Sequence, residues 1–164
     1  MTAATFLESR ILRSLRRLRE HPGSPQLDAL YTRVVGELLG DAEAVATTLD
    51  PAFELVMHSG DGTFALPGNA IVEGVRATGS AGVLMWIEID DLVIDGETIA
   101  GQGAMLTLQL AQRTLSTAPL GLFLRFSGER MIAEVVFMGA AAEPADVSAL
   151  HVPTVDGLRS QLTS

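Results

Sequence analysis

In this 164-residue chain, few side chains could move protons near neutral pH, and His58 is the first of them. Its imidazole accepts or donates a proton with little tuning, and alternation puts it at the end of a strand, on the face of Val56 and Glu54. One role for it is a general base at a pocket wall; the other is a structural histidine hydrogen-bonded at a strand end. Tyr31 lies on the apolar stripe of a long helix, where the ring must be buried while the hydroxyl finds a partner, as core or as pocket lining. Arg125 and Glu134 belong to adjacent strands joined at Gly128-Glu129. A two-residue loop there sets Arg125 opposite Ile132 and Phe123 opposite Glu134, making Arg125 and Glu134 diagonal neighbours on one face. Such a pair could polarise a carbonyl or hold a carboxylate, or it could only fix register. Trp86, Glu88 and Asp90 share a face of another strand, and a carboxylate there facing an apolar pocket would have a raised pKa.

Other chemistries lack their residues. With no cysteine there is no disulfide, thiolate nucleophile, Cys-ligated zinc or iron–sulfur cluster. His21, His58 and His151 have no metal-ligand spacing, so no metal is expected. Gly101-Gln102-Gly103-Ala104 lacks a third glycine and falls inside a strand, and there is no Gly-x-Ser-x-Gly elbow or phosphate loop, so no cofactor is expected either. A net charge of −9 argues against nucleic acid or an anionic membrane as partner. Five arginines nevertheless crowd residues 1–19 beside the single Glu8, leaving net +4 there and −13 beyond. They form a solvated helix face or, alternatively, a patch for nucleic acid or an acidic partner. Apolar stretches such as Val83 to Ile87 are far shorter than a bilayer span, and no secretory pattern precedes the arginines, so a cytoplasmic protein is expected.

The elements that must position these residues follow from periodicity. From Phe6 to Arg19, Leu7, Ile11, Leu15 and Leu18 recur at helical spacing, and His21-Pro22-Gly23 ends the pattern. Ser24-Pro25 opens a second helix whose Leu27, Leu30, Tyr31, Val34, Val35, Leu38 and Leu39 keep one stripe until Gly40. Asp41 caps a short third helix, roughly Ala42 to Leu49. The period then changes to two: Ala52 to Ser59, a turn at Gly60-Asp61-Gly62, and Thr63 to Leu66. Asn69 is expected to cap a helix ending near Gly79. Strands follow over Val83 to Leu92, Thr98 to Ala111, Leu120 to Ser127 and Arg130 to Met138, with Gln112 to Pro119 as a loop and the last three as an antiparallel meander. Gly101 and Gly103 inside a strand mark a bulge or sharp bend. The strand Leu120 to Ser127 has Leu120, Leu122, Leu124 and Phe126 on one face and Gly121, Phe123 and Arg125 on the other; neither is plainly polar, so both faces are expected to be covered.

This order, with Gly40-Asp41-Ala42-Glu43-Ala44-Val45, Leu49-Asp50-Pro51-Ala52-Phe53-Glu54-Leu55 and Leu66-Pro67-Gly68-Asn69-Ala70-Ile71-Val72, resembles the nuclear transport factor 2-like superfamily, in particular its SnoaL-like polyketide-cyclase and ketosteroid-isomerase-like branches. The resemblance covers about residues 24–139. It implies an α+β fold in which N-terminal helices pack on a strongly curved antiparallel sheet to form a cone, commonly dimeric through the sheet. Residues 1–23 would then be an Arg-rich helix and 140–164 a tail with at most a short helix near Asp156 to Leu162, all within one domain.

A conical pocket holding a mostly apolar small molecule would be lined by Tyr31, Val35, Met57, His58, Trp86, Glu88, Phe123, Glu134 and Phe137. An enzyme of this kind would perform cofactor-free proton transfer as a cyclase, isomerase or lyase on a polyketide-, steroid- or terpenoid-like substrate, with His58 as base and Tyr31 or Arg125 stabilising an enolate. The ketosteroid-isomerase pairing of a tyrosine with a protonated aspartate is not reproduced, since the aspartate position falls near Leu122. Limonene-epoxide-hydrolase-like members use an arginine and two aspartates around a water, and the strands carry no Arg-x-Asp arrangement. The alternative is a non-catalytic ligand-binding or dimeric assembly module of the same fold.

Overall fold

Caps written into the sequence set the helix boundaries. A computed structural model describes residues 5–21 and 23–163. Helix α1 (Phe6–Arg17) opens with a reciprocal box: the Thr5 hydroxyl accepts from the Glu8 N–H, and the Glu8 carboxylate accepts from the Thr5 N–H. Helix α2 (Pro25–Leu39) starts at Ser24, whose hydroxyl accepts from the Leu27 N–H, and ends at Gly40 with φ of +68°. Asp41 caps α3 (Ala42–Thr48) through the Ala44 N–H at 3.1 Å. Helix α4 (Gly68–Ser80) begins directly after the extended Pro67 and has no side-chain cap; Asn69, expected in that role, is already one residue inside the helix. Thr154 caps α5 (Val155–Leu162), close to the short tail helix expected there.

The strands are β1 (Leu49–Ser59), β2 (Gly62–Pro67), β3 (Val83–Asp95), β4 (Thr98–Gln109), β5 (Thr114–Ser127), β6 (Arg130–Met138) and the two-residue β7 (Ala145–Asp146). They form one sheet in the order β2-β1-β6-β5-β4-β3, with β7 added along the start of β5. The architecture is the expected α+β arrangement of helices on one bent sheet. The sheet is antiparallel except at one seam, where β1 runs parallel to β6. The pairs β1–β2, β3–β4, β4–β5 and β5–β6 are hairpins, whereas β1 reaches β6 only after α4 and four intervening strands, so a long connection permits the parallel pairing.

Two departures have local causes. The expected loop over 112–119 is mostly strand: the chain turns through Arg113, at φ +52°, and β5 runs from Thr114. Pro119 is tolerated inside it because the Gly139 N–H donates to its carbonyl where β6 has already ended, so the ring's missing donor faces no ladder partner. The bend at Gly103 is as expected. Ile89 pairs with Gly103 and Asp91 with Gln102, which leaves Asp90 as an extra residue in β3. A Cβ on Gly103 would stand 1.8 Å from the Glu88 carbonyl oxygen, so this strand crossing requires glycine.

One core runs through the domain. It joins Leu7, Ile11, Leu15 and Leu18 of α1 with Leu27, Leu30, Val34 and Leu38 of α2, Leu158 of α5, and Leu120, Leu122, Leu124 and Phe126 of β5. The apolar stripe of α1 is thus core, and its arginines hold the outside: Arg10 donates from Nε and Nη2 to both oxygens of Glu88 on β3, at 2.6 and 3.0 Å. No helix of the described residues is long and apolar enough to cross a membrane.

The Gly103 crossing can be tested against an open glycine. Gly103→Ala should lower stability by about 1–3 kcal/mol or more, whereas Gly121→Ala, where a Cβ meets nothing within 4 Å, should change it by less than about 0.5 kcal/mol. Denaturant midpoints of the two variants check this.

Candidate functional site

The bent sheet and two helices leave a hollow of about 280 Å³. From α2 come Leu30, Arg33, Val34 and Glu37, which repeat at i, i+3, i+4 and i+7 and so share one helix face. Helix α4 adds Ala70, Ile71, Gly74, Val75 and Thr78. The floor is one sheet face: Leu55 and Met57 of β1, Met85 and Ile87 of β3, Leu120 and Leu122 of β5, and Glu134 and Val136 of β6. Registers confirm that these belong together, since Leu55 pairs with Glu134, and Met57 and Leu122 both pair with Val136.

Nearly all of this lining is apolar, and apart from the Thr78 hydroxyl, which donates to the Val75 carbonyl, its polar part is a cluster of three charges. The Arg33 guanidinium donates from Nε to Glu37 Oε1 at 3.0 Å, touches Glu134 Oε2 with Nη1, and lies 3.4 Å from the Met131 sulfur and 5.4 Å from the centre of the Phe53 ring. Arg33 and Glu134 are 6% and 8% exposed, so both are almost fully removed from water. The Glu134 oxygen facing Arg33 is in ionic contact but has no aligned hydrogen-bond donor. Burial raises the Glu134 pKa, the Arg33 charge opposes this, and the nearby Glu37 reinforces it, leaving the carboxyl above its ordinary value. Burial also works against the Arg33 charge, but the two carboxylates outweigh it and hold the guanidinium firmly charged. The cluster therefore joins a fixed cation to a buried carboxyl whose pKa is raised. Such a pair can hold an oxygen and exchange a proton with it.

Of the residues expected to line the pocket, the structure brings Met57 and Glu134 into it and sends the others elsewhere. His58 lies on the opposite sheet face, where its Nδ1 is 2.9 Å from Thr63 Oγ1 and its ring stacks on Phe137 at 4.8 Å. Phe137 and Phe123 share that outer face and are 53% and 55% exposed. Arg125 is there too. A bulge between Arg125 and Phe126 pairs Arg125 with Ala133 and Leu124 with Glu134, so the expected diagonal pair is split across the two faces. One extra residue, Ile132, makes that difference, because a slip of one residue turns every later side chain over.

Tyr31 and Val35 pack half-buried beside the cavity without lining it, Tyr31 under the Arg19 guanidinium at 4.4 Å. Trp86, 1% exposed, and Glu88 point away from the hollow, which takes Met85 and Ile87 instead. Glu88 is claimed by Arg10 and by the Ser14 hydroxyl, and although burial pushes its pKa up, these partners outweigh the burial and hold it low. None of the expected catalytic trio His58, Tyr31 and Arg125 therefore lines this cavity.

Arg33 and Glu37 were legible in the sequence only as an i,i+4 pair beside the apolar stripe, a pattern that normally marks a solvated helix face. Their turn toward the interior depends on Glu134, about a hundred residues away. The arrangement of one arginine between two carboxylates, absent as a strand motif, is assembled here from a helix and a strand.

The raised pKa gives Glu134 a sign that can be measured. A carboxyl whose folded pKa exceeds its unfolded value stabilises the fold below the unfolded value, near 4.5, and loses that contribution as pH rises through the folded value. Wild-type melting temperature should include such a loss above pH 4.5, and Glu134→Gln should flatten that part of the profile. Melting curves across pH, with both proteins in one buffer series, check it.

No family model matches the sequence, and no curated protein is significantly similar to it. Solved structures do resemble it. A hypothetical protein with a ketosteroid isomerase-like fold from Catenulispora acidiphila, in complex with trimethylamine, is 15% identical with a TM-score of 0.56, covering 79% of this chain and 95% of that one. An LEH-like epoxide hydrolase from M. tuberculosis is 12% identical with a TM-score of 0.57, over 70% and 82% of the two chains. A SnoaL-like polyketide cyclase from Shewanella denitrificans is 11% identical with a TM-score of 0.57, over 69% and 89%. Together with the helix order and the cavity between α2, α4 and the sheet, these likenesses establish that the chain has the nuclear transport factor 2-like fold.

Proposed function

We propose that the cavity binds a small, mostly apolar molecule carrying one oxygen function, and that Arg33 and Glu134 act on that oxygen and its neighbouring carbon without a cofactor. The observation that carries this reading is the buried Arg33–Glu134 contact opening into an otherwise apolar hollow. A charge pair is costly to desolvate, and an apolar chamber around it strengthens whatever polar contact a guest makes there. At about 280 Å³ the space sits at the lower end of ligand pockets, which run from about 300 to 1,000 Å³, and it suits one or two rings.

In this reading the ionised Glu134 removes a proton from a carbon next to a carbonyl, and Arg33 stabilises the resulting enolate oxygen. Protonated Glu134 then returns the proton to another carbon or to a leaving oxygen. This chemistry serves a cyclase, isomerase or lyase on a polyketide-, steroid- or terpenoid-like substrate. The solved likenesses include a cyclase and an epoxide hydrolase, and fold similarity alone does not choose between them.

Proton exchange tests the proposal without knowledge of the substrate. In deuterated buffer, β-tetralone should bind the protein and exchange its α-protons faster than in buffer alone, as followed by NMR. Glu134→Gln should keep binding and lower the protein-dependent rate by about 100-fold or more. Binding without faster exchange would leave a non-catalytic binding module, and no binding at all would overturn the small-molecule reading.

The outer sheet face supports a second proposal, that it pairs with a second copy of this chain. Val56, Val135, Phe123, Ala100 and Val93 form one continuous row across it, with His58 and Phe137 in the next and Arg125 between Ala133 and Thr98 in a third. Exposed aromatics in such a stripe are unusual unless covered. Arg125, flanked in its own row by Glu54 and Asp95, offers each copy a cation for the other's carboxylates. Light scattering should give a dimer mass for the wild type and a monomer mass for Phe137→Arg, at little cost in melting temperature. A monomeric wild type at high concentration would remove this proposal.

A further inference from the structure

Helix α4 contains a glycine that the packing of the chain does not explain. Gly74 lies mid-helix, where glycine costs about 1 kcal/mol relative to alanine. Other helix glycines have a reason in their neighbours: a Cβ on Gly36 would stand 2.8 Å from Val45 Cγ2, and one on Gly79 would stand 3.0 Å from the Gly40 Cα. On Gly74 it would meet nothing within 4 Å, although the residue lines the cavity and is also open to solvent. Ala70 and Thr78, one turn before and after, line the cavity as well, so this wall of α4 is built from short side chains.

Small residues in a row do not by themselves make a site. Here the same cavity receives Glu134, 8% exposed, whose Oε2 is in ionic contact with Arg33 but has no aligned hydrogen-bond donor. A buried Arg33–Glu134 pair at one part of the hollow and an unfilled gap at its rim are independent features, and both fit a guest that fills the space between them.

We propose that Gly74 is the size-selecting residue of the cavity, its missing side chain leaving an opening through which a ligand too long for the chamber extends toward solvent. This rests on the reading of the cavity as a small-molecule site. The head of the ligand would carry the oxygen toward Arg33 and Glu134, and its apolar tail would lie along Ala70, Gly74 and Thr78. A leucine at this position would project into the gap and close it, since nothing in the chain competes for that space.

The test uses the full chain and a homologous series of alkyl phenyl ketones, from propiophenone to octanophenone, titrated by calorimetry into wild type, Gly74→Ala and Gly74→Leu. Wild type should bind long and short members alike, with affinity level or rising along the series. Gly74→Leu should keep the short ketones within about threefold and weaken the longest by about tenfold or more, as expected when several methylenes lose their burial. Gly74→Ala should lie between them, and both variants should melt no lower than wild type, because each replaces a helix glycine. Ketones that bind wild type with a length profile unchanged by leucine would overturn the role of Gly74 alone. Failure of every ketone to bind wild type would overturn the small-molecule reading beneath it.

Discussion

A guanidinium taken out of water must be neutralised and hydrogen-bonded where it lies, and Arg33 imposes that requirement on the structure around it. Its four partners come from three elements: Glu37 one turn along α2, Glu134 and Met131 on β6, and the ring of Phe53 on β1. Helix α2 can therefore sit on the sheet in only one rotation and one height. Its apolar neighbours Leu30 and Val34 then face the sheet across a gap, and the cavity is what remains between them. Removing Arg33 would leave Glu134 and Glu37 facing each other with no cation between them in a low-dielectric interior, so the three charges depend on one another.

The sheet contributes the second constraint through its irregularities. The extra residue Asp90 in β3 and the extra residue Ile132 in β6 interrupt alternation on strands that otherwise pair continuously. The first is matched by Gly103, where a side chain has no room. The second brings Glu134 to the inner face and sends Arg125 to the outer one. Bending and face assignment are thus coupled: the residue that bends a strand also decides which of its side chains enter the hollow.

The division into two faces also separates two kinds of surface. The inner face is aliphatic, closed by α2 and α4, with one polar cluster. The outer face is aromatic and open around Phe123 and Phe137, with His58 stacked on Phe137 and bonded to Thr63, but is covered at Trp86, 1% exposed, beside Glu88 and its Arg10 partner on α1. A histidine on a strand beside a pocket residue such as Met57 reads in sequence as a pocket residue itself, yet neighbours along a strand point to opposite sides. In the same way the pocket takes Met85 and Ile87 and leaves Trp86 and Glu88 outside it.

Helix starts and stops, the change from a period near four to a period of two, and the glycine-marked bend were all decided within a few residues of chain. Caps at Thr5, Ser24, Asp41 and Thr154 and the stop at Gly40 are local hydrogen-bonding and dihedral preferences, so the α+β order was readable from the amino acids alone. The candidate site was not, apart from Met57 and Glu134. Whether Arg33 and Glu37 face water or the interior depends on a carboxylate about a hundred residues away, and whether that carboxylate faces inward depends on a single unpaired residue in a ladder. Local propensity cannot specify either, because a one-residue shift in register leaves composition and periodicity unchanged while exchanging the two faces; only the packed tertiary structure settles which face is buried.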